Sequence, residues 1–358
     1  MSATIAIAGA GLTGRLFAWA LARAGHRVQV FDARPGPEPL FDGHGPAAFT
    51  AAGMLSPLAE LEKADVAIAA AGWRSLALWP GLAEQLRWRQ PVGLQLNGSL
   101  LLAQRSDGGA ARRVLDRLQQ PGLDAFPAPQ ALDPEALAAL EPALRRSAGL
   151  QAWLLPGEGL VHPLEAMAAL QADAAGVDWH WSTPAERCEA HRLRLADGRS
   201  LDADWVIDCR GLGARPQLPA LRGVRGEVIA LDAPAHGLTR PVRLLHPRHR
   251  VYLVPRTPGE LLIGASEIES EDRSPVSLQS AVELMAAAHS VMPQLAEARI
   301  TRLDRNLRPA LPDHQPHLHH EAGLLRLNGL YRHGWLLAPA LVDQLLRCSG
   351  LGALPHPA

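Results

Sequence analysis

Along "TIAIAGAGLTGRLFAWALARAGHRVQVFDA", Thr4 to Ala33, the rhythm of apolar positions changes twice. Thr4 to Ala8 is an unbroken run of small and branched residues, as a strand buried on both faces requires. Glycines then break the run at 9, 11 and 14. Apolar residues next recur at helical spacing, which predicts a helix over about Gly14 to Ala24 with Gly25 as its left-handed stop. "RVQVF" returns to strand alternation, and Asp32 stands at its end. Strand, GxGxxG, helix, strand and acid, in that order, describe a dinucleotide site. Gly9 allows the tight turn, Gly11 lets a pyrophosphate approach the backbone, and Gly14 lets helix and strand lie close. The helix N-terminus favours the phosphates, and a carboxylate at Asp32 suits ribose hydroxyls. Asp32 would repel a 2′-phosphate, which disfavours NADP. This stretch does not separate FAD from NAD.

Farther along, "GSLLLAQRSDGG" reads as a strand and turn, and the proline-punctuated "PGLDAFPAPQALDPEALAALEPAL" as an inserted subdomain. "GEGLVHPLEAMAALQADAAG" predicts a helix entered through His162 and Pro163. "RLRLADGRSLDADWVIDCRG" predicts a hairpin about Asp197-Gly198 and a buried strand running to Gly211. A strand that returns to a glycine after such a hairpin tilts the choice toward FAD. "LRGVRGEVIAL", "VRLLHP", "VYLVPR" and "LLIGASEI" are strand-like with turns between them, which suits an antiparallel sheet in a separate domain. "SPVSLQSAVELMAAAHSVMPQL" predicts a helix with Ser274 near its N-cap and a proline in its first turn.

Composition narrows the classes. The 358 residues are 47% hydrophobic, enough for one large or two closely packed domains. With 35 basic and 36 acidic residues the net charge is −1, so no nucleic-acid partner and no anionic lipid surface is expected. No apolar run approaches the roughly 18 residues of a membrane span, and no signal peptide is visible, which makes the cytoplasm the expected location. Lys63 is the sole lysine, placed on a solvated helix. A phosphate loop of the Walker type needs a lysine beside glycine, and a pyridoxal enzyme needs one for its Schiff base, so both classes are excluded. Cys188, Cys209 and Cys348 have no metal or redox spacing and read as reduced thiols. His314, His317, His319 and His320 crowd one stretch without the spacing of a metal site and read as a polar loop; "HPRHR", His246 to Arg250, reads as a basic turn. No metal is expected.

Several segments together resemble the FAD-dependent D-amino-acid oxidase superfamily, and within it bacterial glycine oxidases. They are the opening stretch, "AAGMLSP" with Glu60 after it, "GEGLVHP", "RGVRGEV", "VYLVPR" with "GELLIGASE", "RPALPD" and "YRHGWLLAPA". The resemblance implies an α/β plus α+β chain: a glutathione-reductase-like Rossmann FAD domain joined to an antiparallel-sheet substrate domain, the D-amino-acid oxidase fold. The expected division gives 1–90, 150–215 and 305–358 to the FAD domain, and 91–149 and 216–304 to the substrate domain. It also implies non-covalent FAD, with hydride transfer from the Cα of a small amino acid or amine to flavin N5. The imine would hydrolyse, and oxygen would reoxidise the flavin to give hydrogen peroxide. Glycine, sarcosine and small D-amino acids lead as substrates, and a homo-oligomer is left open.

Carried onto matching positions, the resemblance makes Tyr252, Arg308 and Arg332 the catalytic set, with Arg308 pairing the substrate carboxylate. It makes Gly9, Gly11, Leu12, Thr13, Gly14, Asp32 and Ala33 cofactor residues, joined by Ala52, Gly53, Met54, Ala185 and Gly211. Gly329, Arg332, His333, Gly334, Trp335 and Leu336 complete the set. These residue types suit the chemistry. A guanidinium grips a carboxylate through two parallel hydrogen bonds and so orients the substrate, which hydride transfer needs more than an acid or base. Departures are visible. The family's Gly-His-x-Arg-Asn-Gly is Gly329-Leu330-Tyr331-Arg332-His333-Gly334 here, Arg210 and Cys209 stand in "DCRGLGAR", and Leu311 replaces a common threonine. The alternatives are a dehydrogenase passing electrons to a quinone or protein, a tRNA-modifying amine oxidase, and a silent FAD-binding protein.

Overall fold

The computed structural model describes residues 2–61, 65–86, 93–118, 126–145, 149–245, 250–256 and 259–356. Lys63, residues 246–249 of the expected basic turn and part of the expected subdomain lie outside them. Thr4–Ala8 lies inside a six-stranded sheet. Its order is His317–Glu321, Leu324–Asn328, Trp205–Asp208, Thr4–Ala8, Arg27–Phe31, Asp178–His180. The pairings are parallel except at the antiparallel edge strand His317–Glu321. The four clustered histidines are therefore not one loop: three of them stand on that edge strand, with Trp205 stacked on His320.

Alternation along Thr4–Ala8 assigns the two faces. Ile5 and Ile7 point into a core of helices, whereas Ala6 and Ala8 pack under the meander Ala185–Glu189, Arg192–Leu195 and Ser200–Asp202. The small side chains are on the side where the meander must come close. The first helix runs Leu12–Arg23, and Gly25, at φ +85°, turns the chain out of it. The Gly25 N–H donates to Ala22 O and the His26 N–H to Leu21 O, the paired bonds that satisfy the last carbonyls. Val66–Leu86 crosses Gly334–Ser349 at Gly72, where a Cβ would lie 2.9 Å from Leu336 Cδ1. Among the described residues no helix is long and apolar enough to cross a membrane.

The second large sheet has eight strands in the order Arg299–Ala310, Arg222–Asp232, Glu260–Gly264, Arg250–Pro255, Val242–Leu245, Ser99–Gln104, Leu150–Leu155, Gln130–Leu132. It is antiparallel apart from the parallel pair Val242–Leu245 and Ser99–Gln104. One face carries Ile229, Leu244, Leu253 and Ile263 into an apolar cluster roofed by the helix Leu278–Val291. That helix is capped by Ser277, whose hydroxyl accepts from the Ser280 N–H, and not by Ser274, which hydrogen-bonds Asp272. Two of the expected domain boundaries also move. Leu150–Leu155 pairs with Ser99–Gln104 in this sheet, and Arg299–Ala310 runs unbroken across position 305. Within the described part of the proline-punctuated segment, Gln130–Leu132 adds an edge strand to the same sheet.

Candidate active site

Between the two large sheets lies a cavity of about 520 Å³, lined at one end by Gly9, Gly11, Asp32 and Ala185 and at the other by Tyr252, Arg308 and Arg332. Leu12, Thr13, Ala33, Ala52, Gly53, Met54 and Gly211 also line it, as do His333, Gly334, Trp335 and Leu336. Gly14 and Gly329 do not. A Cβ on Gly14 would lie 1.9 Å from Gly9 O, so its role is close helix–strand contact. Gly329, at φ +67°, serves a turn facing Leu311.

The crevice end fits a dinucleotide on its own geometry. Gly9 adopts φ +99°, and a Cβ there would lie 2.5 Å from Cys209 O. Gly11 meets only Pro46 Cβ, at 3.8 Å. As the N-cap of Leu12–Arg23 it offers no side-chain cap, and no acid stands in the first turn. The leading amides and the helix dipole are thus presented to a phosphate. Asp32 is held ready by the Ala10 N–H at 2.6 Å, the Arg34 N–H at 2.9 Å and Arg34 Nε at 3.1 Å. One lone-pair site, on Oδ2, remains beyond these bonds. Arg34, near Trp181 and Phe49, and the buried Arg15, which donates to the carbonyls of Ala10, Met167 and Pro37, fasten this corner. Burial lowers the Arg15 pKa to about 9. Arg210 is occupied locally by Asp208, Gln217 and the carbonyls of Ala185 and Glu186. Burial pushes the Cys209 thiol up to about 12, which keeps it protonated.

At the other end, cross-strand register brings distant residues together. Arg243 pairs with Tyr252, Tyr252 with Gly264, and Gly264 with Val228, so all four share the face turned to the cavity. Two glycines make room. A Cβ on Gly264 would fall 2.4 Å from the Tyr252 hydroxyl, and one on Gly226 would fall 2.3 Å from Arg308 Cζ. Arg308 therefore lies flat over the sheet, donating from Nη1 to Ser266 O at 3.1 Å and Arg225 O at 3.4 Å. Among the described residues no carboxylate pairs with it. Burial raises the Tyr252 pKa and keeps that phenol neutral.

Arg332 is placed otherwise. Its guanidinium reaches Glu60 Oε2 at 2.7 Å and Glu267 Oε2 at 3.3 Å. Glu60 also pairs with Arg243 Nη2 at 3.1 Å and faces His333 Nδ1 at 3.4 Å. Burial opposes its charge, but Arg332 and Arg243 hold its carboxyl well below the usual carboxylate range. Burial lowers His333 to about 4, which leaves the imidazole neutral. Tyr331, at φ +52°, stacks on His314, and its hydroxyl is pushed up by burial and by the nearby Glu267 carboxylate. Arg243, Glu267 and the glycines 226 and 264 were not singled out from sequence. The available signal was the lone arginine in "VRLLHP", set directly between Val242 and Leu244.

The nucleotide crevice is thus continuous with a guanidinium-lined pocket. The family described as DAO, FAD dependent oxidoreductase, matches residues 4–345. The chain belongs to that family. It is 37% identical over 349 residues to a Rhizobium etli protein named as a thiamine biosynthesis oxidoreductase, ThiO, covering 96% of this chain and 95% of that one. It is 30% identical over 362 residues to glycine oxidase of Geobacillus kaustophilus, covering 94% and 89%. The crystal structure of the Geobacillus glycine oxidase superposes with a TM-score of 0.80 at 28% identity over all of both chains. That of iminodiacetate oxidase from Chelativorans sp. BNC1 gives 0.79 at 24% identity, covering 99% and 96%, a likeness of fold. The protein is thus an FAD-dependent oxidoreductase acting on CH–NH groups, with the two-domain fold the resemblance implied.

Proposed function

We propose that the substrate is a small amino acid or amine whose nitrogen-bearing carbon adjoins a carboxylate, with glycine, sarcosine and small D-amino acids as the candidates. Molecular oxygen takes the electrons and leaves as hydrogen peroxide. The observation that carries this reading is Arg308, a cavity-facing guanidinium whose partners are backbone carbonyls, set beside Tyr252. FAD, when bound, supplies the two-electron acceptor. Gly9, Gly11, Leu12, Thr13, Asp32 and Ala185 would hold its adenosine and phosphates, and Met54 with the backbone of residues 332–336 its ring. The protonated, buried Cys209 suits a non-covalent cofactor.

The chain's own residues then position and select. Arg308 receives the carboxylate in a forked pair, which fixes both its charge and its direction. Tyr252 closes the pocket with a neutral hydroxyl able to donate to the same carboxylate. Glu60 and Glu267 together neutralise Arg243 and Arg332, so neither competes for it. His333, neutral to about pH 4, is too weak a base to take the substrate's ammonium proton, which leaves to solvent before oxidation.

FAD-loaded protein mixed with the amino-acid panel without air should lose its visible flavin band, and admitting air should restore it with peroxide. Arg308→Ala should raise KM about 100-fold, roughly 2–3 kcal/mol, with FAD content retained. A flavin that stays coloured with every member, or an unchanged KM, overturns the reading. Bleaching that only a quinone or dye acceptor reverses would replace oxygen.

A further inference from the structure

We infer that Glu267 limits this pocket to substrates with one carboxylate and excludes dicarboxylic amines, an inference that rests on the amine-acid reading above. At this end of the cavity stand the guanidiniums of Arg243, Arg308 and Arg332 and the carboxylates of Glu60 and Glu267. Among these described side chains the surplus is one positive charge. Glu60 pairs with Arg243 and Arg332, and Glu267 with Arg332, whereas among the described residues no carboxylate pairs with Arg308. The surplus therefore resides on Arg308, and a single carboxylate cancels it.

A second carboxylate on the substrate has no such place. Glu267 and Arg308 line the same end of the cavity, so a second carboxylate on a substrate held at Arg308 enters the field of the Glu267 anion. The Tyr331 hydroxyl lies within the fields of Arg308, Arg332 and Glu267 together, which puts the guanidinium and the carboxylate on one wall. Like charges brought together in a partly desolvated pocket repel strongly. Glu267 is a specificity residue: it selects by repulsion and takes no part in bond making.

The test uses ligands that cannot be oxidised, so it does not depend on turnover. Methoxyacetate carries one carboxylate and diglycolate two, with an ether oxygen where the amine nitrogen would be. Their dissociation constants are read from the shift of the flavin band in FAD-loaded protein. The wild type should bind methoxyacetate more tightly, and Glu267→Gln should move the ratio toward diglycolate by about tenfold. Glu267→Asp keeps the charge and should leave the ratio within about twofold. Arg332 keeps its 2.7 Å bond to Glu60 in both variants, which holds the wall in place. A wild type that prefers diglycolate, a ratio unmoved in Glu267→Gln, or an equal shift in both variants overturns the inference. A shifted ratio in an enzyme that no amino acid bleaches would instead overturn the proposed substrate and leave the charge selection standing.

Discussion

At the crevice around Gly9 and Gly11 the groups turned toward a ligand are mostly backbone amides, whereas at the far end of the same cavity they are side chains: Arg308, Arg332, Glu60, Glu267 and Tyr252. The crevice is made by leaving atoms out. A methyl group on Gly9 or Gly14 would collide with a carbonyl that is itself part of the frame. The pocket is made by balancing charges that would each be costly alone, with Glu60 buried among two guanidiniums and an imidazole. The two ends should therefore fail differently, the first by steric exclusion at any pH and the second through charge and protonation.

The largest effect belongs to the crevice. In Gly14→Ala the new Cβ would stand 1.9 Å from Gly9 O, a backbone atom that cannot swing aside. We expect a loss of at least about 3 kcal/mol in stability and a protein that purifies without flavin. Gly11→Ala adds the same methyl where the nearest atom is Pro46 Cβ at 3.8 Å, so it should fold within about 1 kcal/mol of the wild type and lose only FAD affinity. Flavin-to-protein absorbance ratios and thermal midpoints separate the two. A yellow, equally stable Gly14→Ala would show that the crevice relaxes, and the contrast between the ends would collapse.

Glu60→Gln is the matching lesion in the pocket. The amide keeps the shape but withdraws the anion shared by Arg243 and Arg332, leaving Arg332 with Glu267 and Arg243 with the carbonyl of Ala59. Removing one partner of a buried ion pair costs about 3 kcal/mol, less where the other partners rearrange. The thermal midpoint should fall while the protein still takes up FAD, the reverse of the Gly11→Ala pattern. An unchanged midpoint would mean that Arg243 and Arg332 reach water.

The same contrast explains what could be read from the chain. The crevice comes from one continuous segment, where strand, glycines, helix and acid are neighbours in sequence, and local rules suffice for it. The pocket comes from strands far apart: Glu60, Arg243, Tyr252, Glu267, Arg308 and Arg332 meet only once the register of the large sheet is set. Resemblance placed Tyr252, Arg308 and Arg332 at the cavity, but it carried no information on which guanidinium is already paired. Gly226 and Gly264 escaped for a related reason. Neither has a positive φ, and each is required by a side chain crossing from a neighbouring strand. The shift of the helix cap from Ser274 to Ser277 is a local competition: Ser274 spends its hydroxyl and its N–H on Asp272.

The smallest effect lies one layer behind the pocket. Glu158, fully buried, accepts from the Leu58 N–H at 2.7 Å and the Ala59 N–H at 3.2 Å, and its Oε2 lies 2.5 Å from Ser99 Oγ. It thereby caps Pro57–Glu60, the short helix that presents Glu60, since Ser56 supplies no side-chain cap there. Burial raises its carboxyl to about 7 despite those hydrogen bonds. A folded pKa above the unfolded value means that the folded protein binds the extra proton. The associated stability is complete below the ordinary carboxyl pKa and is lost as pH rises through about 7. Glu60, held low, has the opposite sign: its contribution is present above the ordinary carboxyl pKa and is lost in acid. Glu158→Gln copies the protonated form and cannot titrate. It should match the wild type near pH 5 and exceed it near pH 8 by on the order of 2 kcal/mol, read as a thermal midpoint difference that opens between those values. Gly11→Ala, altered where no titrating side chain is involved, should keep a constant offset from the wild type over the same range. Parallel pH curves for Glu158→Gln and wild type would place the neutral-pH sensitivity of this protein somewhere other than behind its charged pocket.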